Sequence, residues 1–300
     1  VRLDLRKASV RDLKKKRAVK IPASKLTTNP NEVIDDPKVH VVCELIGGTT
    51  KARELTLRAL RLGKVVVSAT HTHTAPVTSE IKEEALITYP IPKDGVMQPA
   101  EYTTFLVERL SQAAVQAWKS RKPGGVSWTL GFAQIGENRR SVFADGHAQM
   151  YAKTNDARFR HLEAGSDSGI ETLFFWNAEK QLQAVAINIA CPSQEVESRS
   201  ALNADFWHDA REQLKAKLNM PDLTVLGWCS AAGDQSPHPQ YRKDAEARMI
   251  KLRGLTRQQE LGRRISNAVY DTVDAAKADI RTDTSFGHIV EDRHFAVQGL

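Results

Sequence analysis

The sequence lacks the features that mark secreted or membrane proteins. Its 300 residues include three cysteines (Cys43, Cys191 and Cys229), which are too few and too scattered for a disulfide framework. No apolar run approaches the roughly 18–20 residues needed to cross a bilayer. The N-terminal stretch VRLDLRKASV contains no apolar core of a signal peptide. We therefore expect a globular, cytoplasmic protein without a transmembrane segment.

Positive charge is concentrated at one end of the chain. Residues 1–64 contain 16 Lys and Arg against 7 Asp and Glu, whereas the remaining residues contain 27 against 29. The basic centre, Lys14–Arg17, is typical either of a nucleic-acid-binding arm or of a solvated helix face. We favour the solvated face and expect no nucleic-acid partner. The change in charge also suggests that the two parts have different origins.

Alternating apolar runs and helical patterns predict an α/β fold. The runs VHVVCEL (39–45) and KVVVSA (64–69) read as buried parallel strands, with a helix at 50–62 between them. Such an order gives a right-handed β-α-β unit. The later pattern predicts helices at 99–119, 205–217 and 257–277, and Thr256 is a candidate cap of the last helix. It also predicts strands at 126–135, 171–177, 183–191 and 223–230, and the second and third of these read as a hairpin across residues 177–180.

Three polar loops follow predicted strands and carry residues capable of chemistry. They are His71-Thr72-His73, Cys191–Gln194 and Gly233–His238. Ligands bind at the carboxyl ends of strands in open parallel sheets, so we expect these loops to converge. Two imidazoles at i and i+2 on extended chain point the same way and can share a metal ion. The alternative is that both histidines are ordinary polar loop residues.

Two further features allow a catalytic or a structural interpretation. Ser236 lies in a glycine-containing turn, where a hydroxyl can be exposed among backbone N–H groups, or it belongs to a plain Ser-Pro turn. Arg139 and Arg140 offer a bidentate anion clamp, or they are surface arginines.

Taken together, three motifs resemble the neutral/alkaline, non-lysosomal ceramidase family. They are SATHTHTAP (68–76), ENRRS (137–141) and AGDQSPH (232–238), and their order and spacing match the zinc motif, an arginine region and the serine motif of that family. The resemblance implies a zinc-dependent hydrolase acting on a small-molecule or lipid amide. The implied metal ligands are His71 and His73, and the implied catalytic residues are Ser236 as nucleophile and Arg140, or its neighbour Arg139, at the oxyanion.

The chain departs from this family in ways that put the activity in question. Cys191 stands where the family has a further metal histidine, and the family's later ligands have no matched positions up to residue 300. We therefore expect a hydrolase domain at 68–300 that is truncated at both ends and impaired. The family itself is mainly secreted or membrane-associated, which contrasts with the cytoplasmic expectation.

Residues 1–67 resemble the NAD(P)-binding domain of homoserine dehydrogenase. The similar stretches are VRDLKKKR (10–17), LTTNPNEVIDDPKVHVVCELIGG (26–48) and ARELTLRALRLGKVVV (52–67). The resemblance implies a partial Rossmann-like unit with Arg11, Gly47 and Gly48 as nucleotide contacts. The sequence has no G-x-G-x-x-G turn to seat a pyrophosphate, so we expect no NAD(P) binding.

The two resemblances meet between Val67 and Ser68, so we interpret the chain as a chimera. The hypothesis is an incomplete zinc amide hydrolase behind a partial nucleotide-binding segment. The alternatives are a dehydrogenase-type oxidoreductase fragment and a non-catalytic chimeric fragment. The oligomeric state does not follow from the sequence.

Overall fold

The computed structural model describes residues 6–10, 13–14, 21–38, 68–78, 92 and 94–284. The chain divides into two compact units, one of residues 1–67, 104–122 and 285–300 and one of residues 68–103 and 123–284. One boundary between the units falls between Val67 and Ser68, although the first unit also takes two segments from further along the chain. The origin of the two parts therefore stays a prediction.

The predicted β-α-β unit at 39–69 lies almost entirely outside the described residues. The same holds for the predicted nucleotide contacts Arg11, Gly47 and Gly48. In the described part of the first unit, two short strands pair in parallel, Ala8 with Leu26 and Ser9 with Thr27.

Strands and helices alternate along the described chain, which confirms the α/β class. The strands are β1 (Ala8–Ser9), β2 (Leu26–Thr27), β3 (Gly124–Phe132), β4 (Glu137–Asn138), β5 (Arg140–Phe143), β6 (Ala148–Met150), β7 (Phe159–Leu162), β8 (Gly169–Asn177), β9 (Leu182–Ile189), β10 (Thr224–Cys229) and β11 (Gln235–Ser236). The helices are α1 (Asn31–Ile34), α2 (Pro99–Ser120), α3 (Phe206–Leu218), α4 (Lys243–Arg253), α5 (Arg257–Tyr270) and α6 (Val273–Ala278). Within the described ranges, no helix combines the length and apolarity that a membrane span requires.

The second unit is built on a mixed four-stranded sheet in the order β10-β9-β8-β3. The predicted hairpin at 171–191 is confirmed, since β8 and β9 are antiparallel neighbours joined across residues 178–181. Strand β10 returns parallel to β9 after α3, so both strands end at the same edge. This edge carries the loops that begin at Ala190 and Ser230, as expected from the sequence.

Two helices form the core against one face of this sheet. Apolar residues of α5 recur at i, i+4 and i+8 (Leu261, Ile265 and Val269), and all three are fully buried. They share one cluster with Trp207 of α3 and Phe174 of β8. Burying each large apolar side chain contributes about 1.5–3 kcal/mol, so this cluster fixes the helices relative to the sheet.

The helix predicted at 257–277 is two helices in the structure. Thr256 caps α5 as predicted, because its side chain accepts the N–H of Gln259 while the Gln259 side chain accepts the N–H of Thr256. Helix α5 ends at Tyr270, and α6 starts at Val273 after a break at Asp271 and Thr272. Periodicity alone did not reveal this break, since no glycine or proline marks it.

Helices α3 and α5 approach closely at Gly262. A methyl group there would lie 2.7 Å from Cβ of Asp209 and 2.8 Å from the backbone nitrogen of Ala210. These atoms belong to the neighbouring helix, so they cannot move without shifting the helix itself.

Gly262→Ala should therefore destabilise the fold. We expect the free energy of unfolding to fall by about 1–3 kcal/mol, the usual cost of overpacking, as measured by urea denaturation. Gly165→Ala is the matched control, because a methyl group there meets nothing within 4 Å. Equal stability of the two variants would contradict the close approach of α3 and α5.

Candidate active site

The three loops predicted to converge are joined by hydrogen bonds. Ser193, in the loop after β9, donates from Oγ to the carbonyl of Thr70 at 2.8 Å, and its own carbonyl accepts the N–H of His73 at 3.2 Å. The same loop meets the third segment where His238 Nε2 lies 3.3 Å from the carbonyl oxygen of Glu195. The His-Thr-His segment and the Ser236 segment therefore share one supporting loop.

A second set of contacts fixes the far side of the His-Thr-His segment. The carbonyl of Asn203 accepts hydrogen bonds from Thr72 Oγ1 at 3.2 Å and Thr74 Oγ1 at 2.8 Å. The Asn203 N–H donates to the carbonyl of Thr74 at 3.2 Å. The hydroxyls between and beside the two histidines are thus used for anchoring, which leaves the imidazoles as the chemical groups of this segment.

His71 and His73 present their rings together on the surface. The ring centroids are 5.3 Å apart and the planes differ by 23°. The backbone of His71 has a φ of 57°, a left-handed conformation that non-glycine residues adopt rarely. His73 Nδ1 lies 2.8 Å from Oε2 of Glu197, so its Nε2 remains for another ligand.

Imidazole nitrogens are common zinc ligands, so we compared this pair with the ligand set that zinc requires. Across the described residues, no group of three or more His, Cys, Asp and Glu side chains is arranged to hold a metal ion. Cys191, the third donor considered from the sequence, is buried, and this burial raises the pKa of its thiol well above the usual value. Catalytic zinc usually has three protein ligands. The described part of the chain therefore offers a histidine pair with a supporting carboxylate, which is fewer ligands than a catalytic zinc site uses.

Ser236 and His238 form a close pair. Strand β11 holds Ser236 opposite Glu137 of β4. Its Oγ accepts the backbone N–H of His238 at 3.2 Å and lies 3.2 Å from His238 Nδ1. The hydroxyl hydrogen is then free to be donated to Nδ1, with the Nε2–H directed to the Glu195 carbonyl. This is the tautomer that satisfies both contacts.

Burial differs sharply between the members of this pair. Ser236 is 0% exposed, whereas the His238 side chain is 32% exposed. A nucleophile must be reached by its substrate, so the burial of Ser236 favours a hydroxyl that orients the histidine. The histidine is the group of the pair that meets solvent.

Glu195 lies beneath His238 and is largely buried. Its Oε2 is 3.9 Å from His238 Nε2 and 3.9 Å from Arg257 Nε, without a hydrogen bond to either. Burial raises the pKa of Glu195 to about 7, and Asp205 and Glu197 act in the same direction against the opposing effect of Arg257. The carboxyl can therefore exchange a proton near neutral pH.

The two arginines of the ENRRS motif point to different partners. Arg140 Nε forms an ion pair with Glu163 Oε2 at 3.0 Å. Arg139 donates from Nη2 to the carbonyl of Gly233 at 2.8 Å and from Nη1 to the hydroxyl of Tyr151 at 3.0 Å. Arg139 is thus the arginine that contacts the Ser236 loop, and the catalytic role of Arg140 stays a prediction.

Tyr151 and Gln194 belong to this surface although sequence reasoning did not select Tyr151. The amide nitrogen of Gln194 donates to the Tyr151 hydroxyl at 2.8 Å and lies 3.3 Å from Glu197 Oε2. The Tyr151 ring packs edge-on to His238, with centroids 6.2 Å apart. The sequence feature that could have pointed to Tyr151 is that it is the single tyrosine in the polar segment 136–169.

A cavity of about 970 Å³ lies elsewhere in the second unit. Its lining includes Phe132, Leu162, Tyr241 and Arg263, and none of the predicted site residues borders it. The cavity also borders Glu137, which pairs with Ser236 across β4 and β11, whereas the candidate site is a surface formed by loops at the strand ends.

Comparison with curated proteins finds homoserine dehydrogenases over a short stretch. The chain is 44% identical to homoserine dehydrogenase of Bacillus subtilis (strain 168) over 81 residues, which is 27% of this chain and 19% of that protein. The Synechocystis sp. (strain ATCC 27184 / PCC 6803 / Kazusa) enzyme is 36% identical over 83 residues, 28% of this chain and 19% of that protein. The chain thus spans about a fifth of the length of the curated relatives it matches. No protein-family model matches the chain.

Comparison with solved structures finds neutral ceramidase from Pseudomonas aeruginosa. The TM-score is 0.42 at 13% identity, covering 60% of this chain and 27% of that one. A ceramidase complexed with C2 gives a TM-score of 0.43 at 13% identity, covering 60% of this chain and 26% of that one. Both families named from the sequence motifs therefore recur among the comparisons.

The raised pKa of Glu195 predicts a pH-dependent contribution to stability. A carboxyl that titrates higher in the folded than in the unfolded state stabilises the fold at low pH and loses this contribution as pH rises through the folded pKa of about 7. We compare the free energy of unfolding of the wild type with that of Glu195→Gln. The difference, wild type minus variant, should fall by about 1–3 kcal/mol from pH 4.5 to pH 8, after allowance for partial solvent screening. A pH-independent difference in urea denaturation would contradict the assignment.

Proposed function

We propose that the second unit is an amide hydrolase of the ceramidase type, acting on a lipid amide. The observation that carries this proposal is that hydrogen bonds join the three family motifs. Ser193 and Glu195, in the loop after β9, contact the His-Thr-His segment and His238, and Arg139 of the ENRRS motif contacts the Gly233 carbonyl. Residues far apart in sequence, and matched to a hydrolase family by motif, share hydrogen bonds on one surface. The resemblance to the family supplies the substrate class.

His238 is the base in this proposal. It can accept a proton from the attacking oxygen only if its ring is held in one orientation, and Ser236 and the Glu195 carbonyl contact opposite sides of that ring. In this tautomer Nδ1 is the basic nitrogen and faces Ser236 Oγ. It therefore takes the proton either from Ser236, which attacks after the segment that covers it moves, or from an attacking water through the Ser236 hydroxyl. Arg139 supplies positive charge beside this group, which favours an oxyanion.

The same proposal assigns zinc to the histidine pair. His71 and His73 would hold the ion, and Glu197 would keep His73 in the tautomer that offers Nε2. Bound zinc polarises a carbonyl or activates water. The roles proposed for His238, Ser236 and Arg139 do not depend on a complete set of zinc ligands.

Hydrolysis of a short-chain N-acyl sphingosine with a fluorescent acyl group tests the activity. We expect slow turnover by the wild type, and a fall in kcat of about 10²–10⁴-fold for His238→Asn, which removes a general base. Adding Ser236→Ala should cost little more, because residues that act as a unit are not additive. His161→Asn is the control, since this exposed histidine lies on β7 with its Nδ1 2.7 Å from the carbonyl oxygen of Leu162. Absence of turnover by the wild type would contradict the proposed function.

Metal content tests the zinc assignment separately from activity. Protein dialysed against zinc should retain the ion in proportion to chain concentration, and His71→Ala and His73→Ala should each lose it. The control variant is His147→Ala, whose imidazole lies against Asp145 on another loop. Inductively coupled plasma mass spectrometry gives the stoichiometry. Metal-free wild type, or equal retention by all three variants, would remove zinc from the site.

A second candidate function rests on the 44% identity to a homoserine dehydrogenase over 81 residues. It predicts saturable binding of NADP⁺ by the full chain. Titration calorimetry with NADP⁺ tests it, and the absence of saturable binding would contradict this candidate. Binding together with absent amide hydrolysis would favour the oxidoreductase candidate.

A further inference from the structure

The hydroxyl of Tyr151 receives two hydrogen bonds. Arg139 Nη1 lies 3.0 Å from it and Gln194 Nε2 lies 2.8 Å from it. A guanidinium is a donor only, so Arg139 cannot accept the phenolic hydrogen. The direction of this first hydrogen bond is therefore fixed.

The second hydrogen bond is fixed by Glu197. Gln194 Nε2 lies 3.3 Å from Glu197 Oε2, and an ionised carboxylate only accepts. Gln194 Nε2 thus points towards both Tyr151 and Glu197, which fixes the orientation of the Gln194 amide. This side chain is only 1% exposed. The Tyr151 oxygen accepts from both partners, and its own hydrogen is left for a third group.

The described residues offer that hydrogen no acceptor, and the side chain is open to solvent. Tyr151 is 43% exposed, yet its backbone is held by a 2.8 Å hydrogen bond from its N–H to the carbonyl of Arg139. Its φ of 55° is a left-handed conformation in a bulky residue, which costs free energy. The residue is exposed but fixed in direction.

The surroundings favour an acyl oxygen as the missing partner. The guanidinium of Arg139 lies 5.6 Å from the centroid of the Tyr151 ring, and His238 packs at its edge. A hydroxyl that accepts from a cation becomes a stronger donor, since hydrogen bonds in a chain polarise one another. A negatively charged or carbonyl oxygen next to His238 would complete the arrangement.

We propose that Tyr151 Oη donates a hydrogen bond to the acyl oxygen of the substrate, with Arg139 and Gln194 as positioning residues. The inference rests on the proposed hydrolase function and names its oxyanion donor. No covalent step involves Tyr151. After hydrolysis the same hydroxyl meets the carboxylate of the released acid, so product binding reports on the contact without requiring turnover.

Tyr151→Phe removes the hydroxyl and keeps the ring against His238. Titration calorimetry of the full chain with sodium hexanoate should give weaker binding for this variant by about tenfold or more, the usual effect of losing a hydrogen bond to a charged group. Tyr241→Phe is the matched control, because its ring packs edge-on to Phe159 away from the site. We expect this control to bind hexanoate within about twofold of the wild type.

Amide hydrolysis by the same proteins separates the two claims. Tyr151→Phe should lower kcat by about 10²–10³-fold with little change in KM, as for loss of one oxyanion donor. Wild-type turnover with unchanged kcat in Tyr151→Phe would overturn the inference and leave the hydrolase intact. If Tyr151→Phe loses hexanoate binding but the wild type shows no turnover, the tyrosine contact is supported and the hydrolase function is overturned. Absent or equal hexanoate binding in both proteins would overturn the contact.

Discussion

The carboxylate of Asp205 holds the loop on which the candidate site depends. It is 1% exposed and accepts the N–H groups of Phe206 at 2.7 Å and Val196 at 2.9 Å, so one side chain caps α3 and fixes the preceding loop. Burial raises the pKa of Asp205, and these backbone hydrogen bonds oppose the rise. The Asp205 backbone adopts a left-handed φ of 54° to make both contacts. Because Val196 lies between Glu195 and Glu197, this anchor sets the position of both carboxyl groups.

From that loop the contacts run outward in two directions. Glu197 reaches His73, and through Gln194 it is connected to Tyr151 and Arg139. The carbonyl of Glu195 meets His238 on the opposite side. The buried groups are thereby orienting groups, and the exposed ends of the network are imidazoles, a phenol and a guanidinium. Such a distribution suits binding of a polar acyl group at a strand-end surface.

The sequence was informative where the pattern is local. Apolar runs located the β8–β9 hairpin, and a capping residue type before a helical pattern located Thr256. The predicted strand ends identified the loops that carry His71, His73 and Ser236. The sequence did not separate Arg139 from Arg140, because Arg139 lies between β4 and β5 and reaches the Gly233 carbonyl only through the pairing of β4 with β11, which is a long-range contact. Tyr151 was missed because its role comes from Gln194, 43 residues away, and no sequence spacing encodes that contact.

The central claim is that separate loops form a single chemical site, and a double-mutant cycle tests it most directly. Tyr151→Phe and His73→Ala would be combined, and kcat/KM for the N-acyl sphingosine measured for the four proteins. The Gln194–Glu197 connection predicts strongly non-additive effects, with a coupling free energy above about 1 kcal/mol. Additive effects within about 0.5 kcal/mol would mean that the two side chains act independently, which would contradict a shared site.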